Sequence, residues 1–328
     1  MNPVTIRQRH EPVRAPTMPS RTSRIAILVS CAAVFCLPAG AQQDEGHGSR
    51  LKRLEQIRET QRENRAAKVS EESLGAVTAN THEDAFGRRD MLVYVPSRLP
   101  PEGERALLVA LHGGGGNAQF MLDHLKIDGV AEKHGFIVAY LNGSAAMRIG
   151  GRQLKAWNAG KGCCGKPYED NVNDVAYITG AVHYLQKKYG VDPARTFGVG
   201  HSNGAMMTQT LACVSHLYTT VATLAGSMMA EVPDCPAARG HTILNYHGAE
   251  DVNVPIAGGY GEKGVTDISF TSQEQARRFF EASGGRYVLQ VYPGADHSIE
   301  HLSEASQRLD GISIGERIAR DLGLTARP

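Results

Sequence analysis

Thr196-Phe197-Gly198-Val199-Gly200-His201-Ser202-Asn203-Gly204-Ala205-Met206-Met207-Thr208 decides the fold. Its first four residues are a short apolar run, and its last four open a helix of small residues. Between them stands Gly-x-Ser-x-Gly. In a strand-to-helix setting that pentapeptide predicts a nucleophile elbow. A Ser at the apex of a sharp bend needs neighbours without bulk, and Gly200 and Gly204 flank it two residues away. The bend lifts the hydroxyl clear of the sheet. The helix behind it aims N–H groups and the positive end of its dipole at the same point. A glycine-rich turn with an incidental Ser is the competing reading.

A Ser hydroxyl is a poor nucleophile near neutral pH. It needs a base, and the base needs an orienting acid. On such an elbow the partners follow in the order acid, then His, each just past the C-terminal end of a strand. After the run Ile243–Tyr246 comes His247-Gly248-Ala249-Glu250-Asp251, and Asp251 is the expected acid, with Glu250 the alternative. After Tyr287–Tyr292 comes Pro293-Gly294-Ala295-Asp296-His297, and His297 is the expected base, with His301 the alternative. The oxyanion hole needs the N–H after the nucleophile, Asn203, and one from a loop after an early central strand. His112-Gly113-Gly114-Gly115-Gly116 fits that loop, with Gly114 favoured and Gly113 next. A phosphate cradle is disfavoured, because no Lys-Ser/Thr follows the glycines. A neutral imidazole base predicts activity that falls below about pH 6.5.

The other conspicuous side chains have ordinary readings. His112 and His247 precede loop glycines and suit hydrogen bonding of strand ends. His201 suits packing of the elbow, and it also borders the substrate side. Met206 and Met207 suit gap-filling in a core. Trp157, the one Trp, either stacks on a substrate ring or plugs its own loop.

Outward from the elbow, apolar runs alternate with helical periodicity. Met91–Val95 alternates like an edge strand closed by Pro96, and Ala106–Leu111 is a continuous run suited to a buried parallel strand. Further strands are expected at Phe136–Leu141, Thr196–Val199, Val221–Ala225, Ile243–Tyr246 and Tyr287–Val291. Helices are expected from Phe120 to Gly135 and at Asp174–Tyr189, Asn203–Leu217, Ser272–Ala282 and Ile312–Leu322. This alternation predicts an α/β fold: a doubly wound, mostly parallel sheet flanked by helices, with no large cap domain. The catalytic domain is expected over 88–328. Segments 142–170 and 252–271 are expected to be long irregular loops that shape the site.

The chain has 328 residues and a net charge of +1, which carries no nucleic-acid footprint. Arg21 and Arg24 precede an apolar run, Ile25–Leu37, and then Ala39-Gly40-Ala41. That pattern predicts a signal peptide over 1–41, with Met18 a possible start, and a secreted or periplasmic protein. The run is too short for a stable membrane span. Leu28-Val29-Ser30-Cys31 is the competing lipoprotein reading. Cleavage after Ala41 removes five Arg and one Glu and takes the net charge from +1 to −3. Residues 42–87 are polar and charge-dense, with a thin apolar stripe, as in a partly helical linker. Cleavage leaves four of the six Cys: Cys163, Cys164, Cys213 and Cys235. An even count in an exported chain favours disulfides over a metal site. Three connectivities are open. The adjacent Cys163 and Cys164 are each expected to reach Cys213 or Cys235.

From Leu107 to about Ile299 the chain resembles the secreted polyhydroxybutyrate depolymerase and feruloyl esterase group, the esterase-D-like branch of carbohydrate esterases. The resemblance rests on Leu111–Ala118, Cys163-Cys164-Gly165, Asn173–Ile178, Gly200–Met207, His247-Gly248 with Asp251 and Val254-Pro255, and Asp296-His297. It implies an α/β-hydrolase fold, a Ser-His-Asp triad, no cofactor, and a small or oligomeric carboxylic ester as substrate. The alternatives are an acyltransferase on the same acyl-enzyme and a non-catalytic binding protein of the same fold.

Overall fold

The computed structural model describes residues 75–84, 87–149, 152–263 and 267–325. The export segment, Cys31, Cys36 and the charged stretch up to residue 74 lie outside the described residues. Eight strands form one sheet: β1 Ala76–Asp84, β2 Gly87–Val95, β3 Arg105–Leu111, β4 Ile137–Leu141, β5 Val191–His201, β6 Thr220–Leu224, β7 Thr242–Gly248 and β8 Arg286–Tyr292. Their spatial order is β1-β2-β4-β3-β5-β6-β7-β8. The pairs β1/β2 and β2/β4 are antiparallel, and every later pair is parallel.

The helices are α1 Ala118–Leu125, α2 Asp128–His134, α3 Asp174–Tyr189, α4 Asn203–Val214, α5 Gln273–Ala282, α6 Ile299–Asp310 and α7 Ile314–Asp321. They cover both faces, so the central strands have no solvent side. In β3, Leu107, Val109 and Leu111 pack with α3 and α4, while Leu108 and Ala110 pack with α1 and α6. That two-sided burial is why this strand reads as an unbroken apolar run. Among the described residues no helix is long and apolar enough to cross a membrane.

Several elements depart from the sequence expectation. The sheet begins before Arg88: Ala76–Asp84 pairs along its whole length with β2. It is an edge strand with Val77 exposed and polar residues throughout, so it carries no apolar signature. The helix expected from Phe120 to Gly135 is two helices. They part at Lys126, which takes a left-handed φ of 51° and returns its N–H to the Leu122 carbonyl. Segment 142–170 holds an antiparallel ribbon, Ser144–Ile149 with Arg152–Ala156, and one helical turn, Lys166–Glu169. Segment 252–271 holds a shorter ribbon, Gly259–Tyr260 with Ser269–Phe270. Helix α6 follows the His297 loop and is capped by Ser298, whose hydroxyl accepts the His301 N–H.

The disulfide expectation needs correcting. Cys213 and Cys235 pair with each other, their Cα atoms 4.4 Å apart. Cys163 is joined to Cys164. With Cys213 on α4 and Cys235 beside it, each already has its partner, and the adjacent pair closes on itself. Among the described residues no cluster of three His, Cys, Asp or Glu is placed to hold a metal.

Candidate active site

Strand β5 ends at His201 and α4 starts at Asn203, so Ser202 is the single residue of the turn. It has φ 53° and ψ −121°, outside the ordinary regions for a residue with a side chain. Such a conformation costs of order 1–3 kcal/mol and persists only where the surroundings enforce it. Two contacts enforce it. A Cβ on Gly200 would strike the Gly204 carbonyl, and a Cβ on Gly204 would strike the Leu111 carbonyl. The elbow therefore closes tightly against β3.

Asp251 follows β7 and His297 follows β8, adjacent parallel strands. Ser202 Oγ lies 2.9 Å from His297 Nε2. His297 Nδ1 lies 2.8 Å from Asp251 Oδ2. A carboxylate only accepts, so the proton sits on Nδ1 and Nε2 faces the hydroxyl as acceptor. Asp251 is buried, yet its pKa falls well below the usual carboxylate range. Burial pushes it up, and hydrogen bonds from His247, His297 and the Val254 N–H outweigh burial. The His297 side chain keeps 17% exposure, enough for a proton donor or acceptor to reach it from the cleft. The two alternatives point elsewhere. Glu250 is exposed and ties only its N–H to the Ala295 carbonyl. His301 lies on α6, paired with Asp296 at 2.9 Å.

The glycine loop meets the elbow. A Cβ on Gly113 would lie 3.2 Å from Ser202 Cβ, and one on Gly114 would lie 3.7 Å from Asn203 Cβ. The Gly115 N–H donates to the Lys155 carbonyl and the Gly116 N–H to the Gly113 carbonyl. The N–H groups of that half of the loop are thus already committed.

The histidines beside the site are pinned and neutral. The Gly143 N–H donates to His112 Nε2 at 3.0 Å, and His112 Nδ1 donates to the Gly113 carbonyl at 2.7 Å. His201 Nε2 donates to the His297 carbonyl at 2.9 Å, tying the elbow to the histidine loop. Burial lowers both imidazoles to about 4. His201 borders the cleft over Ser202.

Trp157 does not. It is 0% exposed, and its Nε1 donates to the His112 carbonyl at 3.0 Å. It plugs its loop and offers no face to a substrate. Its backbone has a second role that carries no sequence signature. The Asn203 side chain accepts from the Trp157 N–H at 2.8 Å and donates to the Trp157 carbonyl at 3.0 Å. Next door, the Asn158 N–H donates to Asp174, which is buried against Arg89. Asn203, the residue after Ser202, is thereby bolted to a loop 46 residues away in sequence.

A cleft of about 470 Å³ opens over Ser202, with apolar walls from Phe120, Leu154, Cys164, Met206, Val254 and Phe270. Among the described residues no Lys, Arg, Asp or Glu lines it.

Residues 98–304 match the model of the phospholipase/carboxylesterase family. The chain belongs to that family. Its fold is the α/β-hydrolase fold. Among curated proteins it is 30% identical over 125 residues to feruloyl esterase B of Neurospora crassa, covering 37% of this chain and 38% of that protein. It is 26% identical over 120 residues to the bifunctional acetylxylan esterase/xylanase of Neocallimastix patriciarum, covering 37% of this chain and 15% of that one. The chain thus spans less than half the length of these relatives. Among solved structures, the acetyl xylan esterase from Aspergillus awamori superposes with a TM-score of 0.50 at 15% identity. That match covers 76% of this chain and all of the other. A dienelactone hydrolase-like phosphotriesterase from metagenomic libraries gives 0.51 at 16% identity, covering 76% and 97%. At such identities the likeness is one of fold.

Proposed function

We propose that this member of the phospholipase/carboxylesterase family is an exported serine esterase that hydrolyses carboxylic esters through an acyl-enzyme on Ser202. The observation that carries the reading is the continuous line from Asp251 through His297 to Ser202 Oγ, at 2.8 and 2.9 Å. Ser202 Oγ attacks the ester carbonyl and its proton passes to His297 Nε2. Asp251 holds the imidazole and stabilises the imidazolium. The N–H groups of Asn203 and Gly114, with Gly113 adjacent, take the negative charge that forms on the carbonyl oxygen. His297 gives its proton to the departing alkoxide, the alcohol leaves, and the acyl group stays on Ser202. Water, deprotonated by the same imidazole, then releases the acid and restores the serine.

The cleft supports esters with an uncharged, largely apolar acyl group. Feruloyl-type esters and short hydroxyalkanoate oligomers both qualify. The named activities of the feruloyl and acetylxylan esterase relatives point the same way. Export rests on the Ile25–Leu37 run behind its arginines and on the Cys213–Cys235 disulfide. The test is hydrolysis of a simple aryl ester by the parent and by Ser202→Ala, followed by a panel of aryl-acrylate esters against hydroxybutyrate oligomers. Parent activity that vanishes in Ser202→Ala is the expected result. Equal activity in both would overturn the reading.

A further inference from the structure

Asp251 is served by two imidazoles. Its Oδ1 accepts the N–H groups of Asn253 at 2.9 Å and Val254 at 2.8 Å. Its Oδ2 accepts from His297 at 2.8 Å and also faces Nε2 of His247 at 3.2 Å. His247 is fully buried at the end of β7, and the same Nε2 lies 2.8 Å from the Val254 carbonyl. Val254 is therefore clamped at both ends of its backbone, by Asp251 at its N–H and by His247 at its carbonyl.

A clamp of this kind works only if the proton is on Nε2, and the surroundings determine that. The Gly226 carbonyl can only accept, and Gln273 Nε2 lies 3.0 Å from it. This orients the buried Gln273 amide. Its Oε1 then faces the Tyr287 hydroxyl at 2.8 Å and Asn245 Nδ2 at 3.2 Å, both able to donate. The second hydrogen on Gln273 Nε2 is left for His247 Nδ1, 3.2 Å away. Nδ1 thus accepts, and Nε2 carries the hydrogen toward Val254 and Asp251. A residue that merely filled the strand end would need no such orientation.

We infer that His247, held in its Nε2–H tautomer by Gln273, is a positioning residue that fixes the Asp251 carboxylate for His297. The inference rests on the reading of Ser202, His297 and Asp251 as the catalytic residues. His247 touches no substrate and moves no proton in the reaction. It keeps the acid turned so that one oxygen meets the imidazole of His297.

Three variants and one wild-type measurement test this. His247→Gln retains a side-chain N–H at about the reach of Nε2 and is expected to keep most of kcat. His247→Leu fills similar space without the donor and is expected to lose kcat roughly tenfold, with KM little changed. Gln273→Met removes the donor to Nδ1 and with it the lock on the tautomer. It is expected to lower kcat in the same sense as His247→Leu, by a smaller factor. Equal kcat in His247→Leu, His247→Gln and the parent, all folded by the emission of Trp157, would overturn the inference. Where variants do not fold, nitrogen NMR of histidine-labelled wild-type protein at about pH 8, above the ordinary imidazole pKa, decides. A protonated Nε2 at His247 supports the inference, and a protonated Nδ1 overturns it. Hydrolysis that survives in Ser202→Ala would instead overturn the catalytic reading and leave the tautomer result standing.

Discussion

The two ends of the Asp251–His297–Ser202 line are held in place by different physics. At the Ser202 end, the strained turn is held by close packing of backbone: a Cβ on Gly200 would strike the Gly204 carbonyl within the motif, and one on Gly204 would strike the Leu111 carbonyl of β3. At the acid end, Asp251 is oriented by hydrogen bonds: two from its own turn, and two from imidazoles placed by β7 and β8. A short motif supplies the glycines that the first arrangement needs. The second needs the sheet to be assembled.

The largest effect that bears on this contrast is Ser202→Ala, which leaves the backbone intact and should lower kcat about a millionfold. Stopped assays on an aryl ester measure it, and an unchanged melting temperature shows that the elbow survives. Next is Asp251→Asn. An amide cannot accept through both of its heteroatoms, so either both imidazoles at the Oδ2 position or both backbone N–H groups at the Oδ1 position lose their acceptor. A drop in kcat of about ten-thousandfold with little change in KM is expected. A loss much smaller than tenfold would mean that the acid end contributes little.

Arg89→Met asks how far the Ser202 end depends on residues outside its own motif. It strands the buried Asp174 and loosens the loop of Trp157, to which Asn203 is bolted. Stability should fall by about 3–5 kcal/mol, with a red shift of the single Trp. If kcat is unchanged, the elbow stands by its own sterics. If kcat falls with stability, the distant loop shares the task.

Acid separates the ends by their pH windows. His112 and His201 have folded pKa values of about 4, below the ordinary imidazole value. The unfolded chain takes up these protons first, so their stability contribution is present above about pH 6.5 and is lost as pH falls toward 4. Each is expected to cost up to about 3 kcal/mol, seen as a falling urea midpoint. Asp251 is also depressed, so its contribution persists through that window and fades only below about pH 4, the unfolded carboxyl value. Gly204→Ala drives a Cβ into the Leu111 carbonyl of β3. A loss of about 1–3 kcal/mol in a denaturant titration is expected, with kcat lowered as the elbow shifts.

Much of the fold was legible because burial on both faces writes itself into the sequence as unbroken apolar runs, as in Leu107–Leu111. Helix α3 was bounded correctly because Asn173 caps it and Gly190 ends it in a left-handed turn. Strand β1 was missed because an edge strand with polar residues has no such run. The ribbon of Ser144–Ile149 was missed because its pairing with Arg152–Ala156 supplies order that its composition does not signal. Trp157 stayed undecided for a related reason: a ring in a long loop is buried or exposed according to what folds over it.

By itself the sequence determined the elbow, the glycine loop opposite it, and the strand-end positions of Asp251 and His297. Each is a local conformational demand that only a few residue types meet. The tertiary structure alone decided which cysteines join, where Trp157 points, and how Gln273, His247 and Asn203 support groups they do not adjoin in sequence. Those contacts are hydrogen bonds between buried groups brought together from far apart along the chain, and their partners exist only once the sheet has formed.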